Sequence, residues 1–83
     1  MPVKAHVILY TRPGCHLCEE ARQEMLAARC ADEYTLEEVN IETVPALMEQ
    51  YGYEIPVIVI NGIKAFKYRL TATEFKRRLR RLA

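Results

Sequence analysis

The sequence of 83 residues has no tryptophan, only three cysteines and no long apolar run. The apolar stretch nearest the N-terminus, residues 7–10, is far too short for the core of a signal peptide or for a membrane span. An odd count of three cysteines is also poorly suited to the disulfide framework of an exported protein. We therefore expect a cytoplasmic protein in a reducing compartment.

Charge of one sign is also lacking, since twelve Lys and Arg oppose eleven Asp and Glu for a net charge of +1. No global field draws the chain to nucleic acid or to an anionic membrane, so we expect neither as a partner. The length allows one domain, residues 1–83, which we expect to be monomeric. The basic residues 76–81 near the C-terminus are interpreted as a solvated helix face, because positive charge at a helix C-terminus is favourable in itself.

The first half of the sequence predicts a strand, a helix, a second strand and a short second helix. Residues 7–10 form an apolar, β-rich run typical of a central strand covered on both faces. Residues 15 to about 31 have helical periodicity, with an apolar stripe at Leu17, Ala21, Met25 and Ala28. A strand over 34–41 and a helix over 43–51 follow, and Gly52 is expected to close that helix in the left-handed conformation.

The second half predicts a hairpin and a last helix. Residues 55–60 form another buried strand, and Asn61-Gly62 is a strong type I′ turn signal because both positions of that turn need positive φ. Residues 63–68 then form an edge strand with Phe66 and Tyr68 on one face and lysines at polar positions. Thr71-x-x-Glu74 is a capping box before an apolar stripe at Phe75, Leu79 and Leu82.

The element order is therefore β-α-β-α-β-β-α. One long parallel crossover followed by a hairpin gives an α/β fold with a four-stranded mixed sheet and three helices, distributed over both faces. That is the thioredoxin-like architecture.

A Cys-x-x-Cys pair stands where the first strand passes into the first helix. Cysteines three apart on a first helical turn lie on nearly the same face, with Cα atoms about 5–6 Å apart, so Cys15 and Cys18 can form a disulfide. At the helix N-terminus, free N–H groups and the helix dipole favour a Cys15 thiolate, and Arg12 adds positive charge nearby. Cys18 lies deeper and is expected to stay protonated until it resolves a mixed disulfide. The pair is predicted to be a redox-active disulfide.

Pro56 opens a buried strand, where proline is tolerated only at the strand start. One interpretation is a cis Ile55–Pro56 bond that exposes the Ile55 backbone to pair with a substrate peptide opposite Cys15. The alternative is a trans proline that merely begins a strand. The residues themselves leave the two equally open.

The segments Thr11-Arg-Pro-Gly-Cys-His-Leu-Cys18 and Ile55-Pro-Val-Ile-Val-Ile-Asn-Gly62, together with their spacing, closely resemble the glutaredoxin-like family over nearly the whole chain. The resemblance implies a cis bond at Pro56, Cys15 as nucleophile and Cys18 as resolving thiol. It also matches Arg12 to the basic position that faces a glutathione carboxylate in glutaredoxins. Glutathione is thus a candidate co-substrate, with no bound cofactor.

Three positions depart from the glutaredoxin pattern. Leu17 replaces a common active-site tyrosine, and Glu54 stands where the threonine of Thr-Val-Pro is usual. The Gly-Gly-x-Asp turn that grips the γ-glutamyl end of glutathione is absent, and residues 67–73 stand there instead. Thr71 and Thr73 remain as candidate helix-N-terminal donors for a carboxylate.

Two further residues, His16 and Cys30, each have a functional and a structural interpretation, and a zinc site is a third alternative. His16 could tune the neighbouring thiolate when charged, although an exposed histidine at such a turn is usually just solvated. Cys30, late in the first predicted helix, is more typical of a buried small hydrophobe than of a regulatory thiol. A zinc site lacks the second closely spaced ligand pair, so no metal is expected.

The sequence thus predicts a thiol–disulfide oxidoreductase active in electron transport. It would reduce disulfide-containing proteins or glutathione mixed disulfides and be re-reduced by an external thiol donor. Two alternatives remain open. One is an iron–sulfur or metal carrier in which Cys15 ligates a cluster shared between protomers, and the other is a redox-silent adaptor that uses the groove to bind peptides.

Overall fold

The computed structural model describes residues 4–83, so the first three residues of the predicted domain lie outside the described part. The elements follow the predicted order β-α-β-α-β-β-α, with single 3-10 turns at Ala31–Glu33 and Ile41–Thr43. Their bounds are β1 Ala5–Thr11, α1 His16–Ala27, β2 Tyr34–Asn40, α2 Pro45–Tyr51, β3 Val57–Ile60, β4 Ile63–Lys67 and α3 Ala72–Leu82. The predicted α/β fold with a mixed four-stranded sheet and three helices is confirmed.

Strand β1 lies inside the sheet, whose strand order is β2-β1-β3-β4. It pairs in parallel with β2 and antiparallel with β3, and β3 pairs antiparallel with β4. Ala5, Val7 and Leu9 on one face of β1 are buried, whereas Ile8 and Tyr10 on the other are only half-buried. The predicted central strand is therefore covered more completely on one face than on the other.

Helices α1 and α3 pack on the same face of the sheet, and α2 contacts the other. Met25 of α1 and Phe75 and Leu79 of α3 are at most 2% exposed and belong to one buried cluster with the sheet. Full burial of such a side chain contributes about 1.5–3 kcal/mol. On the opposite face, the Tyr51 ring of α2 lies 4.7 Å from the Tyr10 ring, centroid to centroid. The buried cluster that α1 and α3 form with the sheet fixes α1 against β1 and so sets the position of the Cys-x-x-Cys loop.

The β3–β4 hairpin has the predicted turn. Asn61 and Gly62 adopt φ values of 49° and 81°, both positive as a type I′ turn requires. The Asn61 side chain also ties the turn to its surroundings, because Oδ1 accepts from the His6 amide at 2.8 Å and Nδ2 donates to the Leu82 carbonyl at 2.9 Å. The hairpin turn and the C-terminal end of α3 therefore meet at the sheet end from which β1 starts.

Helix α1 is shorter than the sequence predicts, ending at Ala27 rather than near residue 31. The stop is a left-handed residue, Arg29, with φ 55°. That position usually belongs to glycine, so the usual stop signal is missing from the sequence. Cys30 consequently lies beyond the helix, where it precedes the Ala31–Glu33 turn.

Two other local predictions are wrong in detail. Gly52 has φ −53°, right-handed rather than left-handed. Glycine is needed there for space, because a Cβ would lie 2.4 Å from the Met48 carbonyl oxygen. Tyr68 lies outside β4 with φ 67°, so it does not share a strand face with Phe66.

The capping box of α3 is present in its first half, since Thr71 Oγ1 accepts from the Glu74 amide at 3.2 Å. Phe75 and Leu79 are buried and Leu82 is half-buried, as the predicted stripe requires. Among residues 4–83, none of the helices is both long enough and apolar enough to cross a bilayer.

Candidate active site

The loop between β1 and α1 turns the chain so that Cys15 becomes the N-cap of α1. Gly14 makes this turn with φ 76°, in the region that disfavours any side chain. The Cys15 amide then donates to the Arg12 carbonyl at 3.3 Å. Cys15 itself is extended (φ −85°, ψ 106°), and its Sγ accepts from the Cys18 amide at 3.1 Å. A sulfur therefore occupies the place that an oxygen usually fills at a helix N-terminus.

The Cys15 and Cys18 sulfur atoms lie at disulfide distance, with Cα atoms 5.2 Å apart, as the spacing predicts. Their environments differ sharply. Cys15 is partly exposed, whereas Cys18 is 1% exposed and belongs to the buried face of α1. Only Cys15 is accessible to a second molecule, and the pair is therefore asymmetric.

An open pocket of about 730 Å³ lies beside the pair. It brings together four of the residues that the sequence singled out: Arg12, Cys15, His16 and Cys18. Polar side chains of α1 and the end of β2 complete the wall, among them Glu19, Glu20, Arg22, Gln23 and Asn40. Most of the residues that line the pocket are polar or charged.

The Arg12 guanidinium is directed to a carboxylate that the sequence did not identify. Its Nη2 lies 3.4 Å from Glu42 Oε2, and both side chains are about 40% exposed (39% and 42%). An exposed ion pair of this kind contributes roughly 0–1 kcal/mol. A carboxylate on a bound molecule can therefore compete with Glu42 for Arg12.

Asn40 and Glu42 are the site residues that sequence reasoning missed. Asn40 pairs with Thr11 in the parallel register of β1 and β2, and its Oδ1 accepts from the Glu42 amide at 2.9 Å. The carboxyl ends of neighbouring parallel strands meet at one edge of a sheet. The polar residues that follow β2 could thus have been placed beside the cysteine loop from the predicted topology.

His16 and Leu17 follow Cys15 in the chain but differ in what they touch. The His16 imidazole is 86% exposed, with Nε2 3.5 Å from Glu20 Oε1. Leu17 is half-buried and does not line the pocket. The predicted modulating roles of both remain predictions, and Leu17 lies outside the buried stripe, which runs through Cys18, Ala21 and Met25 instead.

Ile55 and Pro56 lie at the same end of the sheet as the cysteine loop. Val57 pairs with Tyr10, so Pro56 stands beside the end of β1. The Ile55–Pro56 bond is cis and Pro56 is buried. Among residues 4–83, no hydrogen bond satisfies the Ile55 amide or carbonyl. That backbone is unpaired where the predicted substrate contact would need it.

Thr71 caps the N-terminus of α3 and does not line the pocket. Its hydroxyl caps the helix, and the next amide, Ala72 N–H, donates to Glu24 Oε1 of α1 at 3.0 Å. A carboxylate of the chain itself therefore takes the donor that a substrate carboxylate would need. The structure does not bring Thr71 together with the cysteines in one pocket.

Cys30 is fully buried and belongs to the core cluster, as the structural interpretation predicts. Burial raises the pKa of its thiol, and the nearby Glu33 carboxylate adds to the shift. Within residues 4–83, no three His, Cys, Asp or Glu side chains are grouped so as to hold a metal ion.

Comparisons with known proteins agree with this geometry. A protein of Dictyostelium discoideum described as glutaredoxin-like is 30% identical over 71 residues, which span 78% of this chain and 66% of that protein. The X-ray structure of a Xanthomonas campestris protein, XcR50, superposes with a TM-score of 0.80 at 26% identity, over 93% of this chain and 99% of that one.

The oxidised form of mitochondrial thioredoxin 3 from Saccharomyces cerevisiae shares the fold, with a TM-score of 0.69 at 13% identity over 95% of this chain and 79% of that one. The fold is thus the thioredoxin fold. The model of the family "Glutaredoxin-like domain (DUF836)" matches residues 6–80. The chain belongs to this glutaredoxin-like domain family.

Proposed function

We propose that the protein is a thiol–disulfide oxidoreductase that reduces protein disulfides through Cys15 and Cys18. One observation carries the proposal: Cys15 is a partly exposed residue that caps α1 and accepts the Cys18 N–H on its sulfur, while Cys18 is buried. A sulfur so placed is stabilised as a thiolate by the amide donor and by the positive end of the helix. Attack and resolution are thereby divided between the two cysteines.

The reaction begins with the reduced pair. The Cys15 thiolate attacks one sulfur of the substrate disulfide, the other substrate sulfur leaves as a thiolate, and a mixed disulfide joins Cys15 to the substrate. Cys18 loses its proton and attacks the Cys15 sulfur, which releases the second substrate thiolate. Two electrons pass to the substrate, and the protein retains the Cys15–Cys18 disulfide. An external thiol donor reduces this disulfide in turn.

The unpaired Ile55 backbone supports an extended peptide as the substrate. Its amide and carbonyl lie at the sheet end that holds the cysteine loop and have no partner among the described residues. An extended chain can add to such a position by backbone hydrogen bonds, which do not depend on its sequence. Arg12, released from Glu42, would hold a carboxylate of the same substrate.

Glutathione is the weaker substrate in this proposal. The Ala72 N–H at the N-terminus of α3 is already bonded to Glu24, and Thr71 bonds within its own helix. A glutathionyl group would retain the contact with Arg12 and lose the Ala72 amide as a donor. We therefore propose protein disulfides as the preferred substrates and glutathione as a candidate donor, in a reducing compartment such as the cytoplasm.

The test uses the full chain and its Cys18→Ser variant. The reduced variant is mixed with a peptide disulfide, and the products are identified by mass spectrometry. We expect a stable mixed disulfide at Cys15 alone, and catalytic turnover in the wild type when dithiothreitol is supplied. A mixed disulfide that forms equally well in the double variant Cys15→Ser/Cys18→Ser would overturn the proposal.

A further inference from the structure

Charge is distributed very unevenly along this nearly neutral chain. Residues 64–83, which form most of β4 and all of α3, carry eight of the twelve Lys and Arg and one of the eleven Asp and Glu. Strand β4 lies at one edge of the sheet, and β2 with Glu37 and Glu38 lies at the other. The net charge of +1 therefore conceals a basic side and an acidic side.

The basic side contains a groove of about 280 Å³, lined by Phe66, Glu74, Arg77, Arg78 and Arg81. We call it the Arg–Phe groove. The Arg78 guanidinium lies over the half-buried Phe66 ring, with its carbon 5.7 Å from the ring centroid. This contact holds an arginine and an aromatic surface side by side, an arrangement that a cation–π attraction stabilises.

The three arginines of the groove have no ion-pair partner within residues 4–83. Arg80 of the same helix pairs with Glu33 at 3.1 Å, but no carboxylate comes within 4.0 Å of Arg77, Arg78 or Arg81. Arg81 follows Arg77 by four positions and Arg78 by three, and like charges at these spacings repel each other. The helix dipole compensates for this only in the last turn. An anionic partner would reduce the remaining repulsion among the three arginines.

We propose that the Arg–Phe groove is a docking surface for a carboxylate-rich segment of a partner protein. Arginine and aromatic residues are the types that carry most binding energy at protein interfaces, and guanidinium groups bind carboxylates in a bidentate manner. The Phe66 ring offers an apolar contact to a side chain between the acidic ones. The sequence pattern suggested only a solvated helix face here, and the addition of Phe66 changes that interpretation.

An acidic protein segment fits this surface better than nucleic acid. The 63 residues outside the region 64–83 carry ten acidic and four basic side chains. An extended polyanion would meet this acidic side beyond the groove, whereas a short acidic segment would not. No residue of the groove also lines the pocket beside Cys15. Docking is therefore separate from thiol exchange, and its test does not depend on redox activity.

The experiment measures binding of a fluorescein-labelled six-residue glutamate peptide with one central leucine to the oxidised full chain, by anisotropy at low ionic strength. Arg78→Gln/Arg81→Gln is compared with Lys4→Gln/Arg29→Gln, which removes the same charge elsewhere. We expect the groove variant to raise the Kd about tenfold and the control to leave it within about twofold. Equal weakening by both variants, or no binding to the wild type, would overturn the proposal.

Two further binding measurements test which kind of molecule occupies the Arg–Phe groove. Phe66→Leu should weaken the leucine-containing peptide more than an all-glutamate peptide, with unchanged far-UV circular dichroism as the folding control. A twelve-base-pair DNA duplex should bind more weakly than the peptide. If the duplex binds more tightly and depends on the same arginines, the occupant is a phosphate polymer and the proposal is wrong.

Discussion

The two ends of α1 give cysteine opposite properties. At the N-terminal end, Cys15 is partly exposed, caps the helix and accepts an amide hydrogen bond on its sulfur. Just past the C-terminal end, Cys30 is fully buried, and burial together with Glu33 raises the pKa of its thiol. One helix therefore places one sulfur where a thiolate is stabilised and another where it is penalised.

The difference follows from the backbone rather than from the cysteines. A helix leaves unpaired N–H groups and partial positive charge at its start, and unpaired carbonyls and partial negative charge at its end. The loop with Gly14 presents the first end to solvent, whereas Arg29 turns the chain so that Cys30 enters the core. Reactivity and burial are thus decided by where the two turns lie.

The largest effect is expected when the sulfur of Cys15 or of Cys30 is replaced by oxygen. Cys15→Ser should lower disulfide reductase activity at least about a hundredfold, because the nucleophile is lost, whereas Cys30→Ser should retain activity at a temperature where it is folded. Activity is followed with a peptide disulfide and dithiothreitol. Comparable losses in both variants would remove the functional distinction between the two ends.

The second test concerns stability, which should depend on what replaces the buried Cys30. Cys30→Ser places a hydroxyl in an apolar core position and should lower the free energy of unfolding by about 1–3 kcal/mol. Cys30→Ala, which leaves a small void and no polar group, should cost less. Urea denaturation of the oxidised proteins measures both. A serine variant as stable as the alanine variant would show that the site is not as dry as its burial implies.

The pH dependence of stability sharpens the same point. Because the pKa of Cys30 is raised in the folded protein, the unfolded chain loses its thiol proton first as pH rises. The stability that the neutral thiol contributes is therefore fully present below the ordinary pKa of a thiol. It declines as the pH rises above that pKa, by up to about 1.4 kcal/mol per pH unit. Wild type and Cys30→Ala, unfolded in urea from about pH 7 to 10, should converge as pH rises. A constant difference would contradict the shift.

Local signals in the sequence predicted several turns and helix ends of this molecule correctly. The Asn61-Gly62 turn and the Thr71 cap each depend on residues a few positions apart, and both are present. The placement of Cys15 at a helix start is local in the same sense. A pattern of this kind is set by backbone sterics and by the nearest hydrogen bonds, which the sequence displays directly.

Contacts between distant segments could not be predicted in this way. Arg12 meets Glu42 thirty positions later, and Glu24 reaches the Ala72 amide across 48 positions. Neither pair has a sequence signature, because side-chain direction depends on how α1, β2 and α3 pack. The end of α1 was missed for a related reason, since Arg29 adopts a conformation for which the sequence offers no glycine.

The N-terminus of α3 extends the comparison to a second positive helix end. At α1 that end faces solvent through Cys15, whereas at α3 the Glu24 carboxylate accepts from the Ala72 amide and the Thr71 hydroxyl accepts from the Glu74 amide. If Glu24 keeps anionic substrates away, Glu24→Gln should retain the hydrogen bond and remove the charge. The rate with glutathione disulfide, relative to neutral hydroxyethyl disulfide, should then rise about two- to fivefold.

Glu49→Gln is the matched control for this prediction, because it removes one exposed carboxylate from α2 and leaves both helix ends intact. The same rise in both variants would mean that net charge, not the occupant of α3, sets the preference. A rise confined to Glu24→Gln would show that the N-termini of α1 and α3 have different roles. In that case one helix end would stabilise the Cys15 sulfur, and the other, where Glu24 accepts from the Ala72 amide, would disfavour glutathione disulfide.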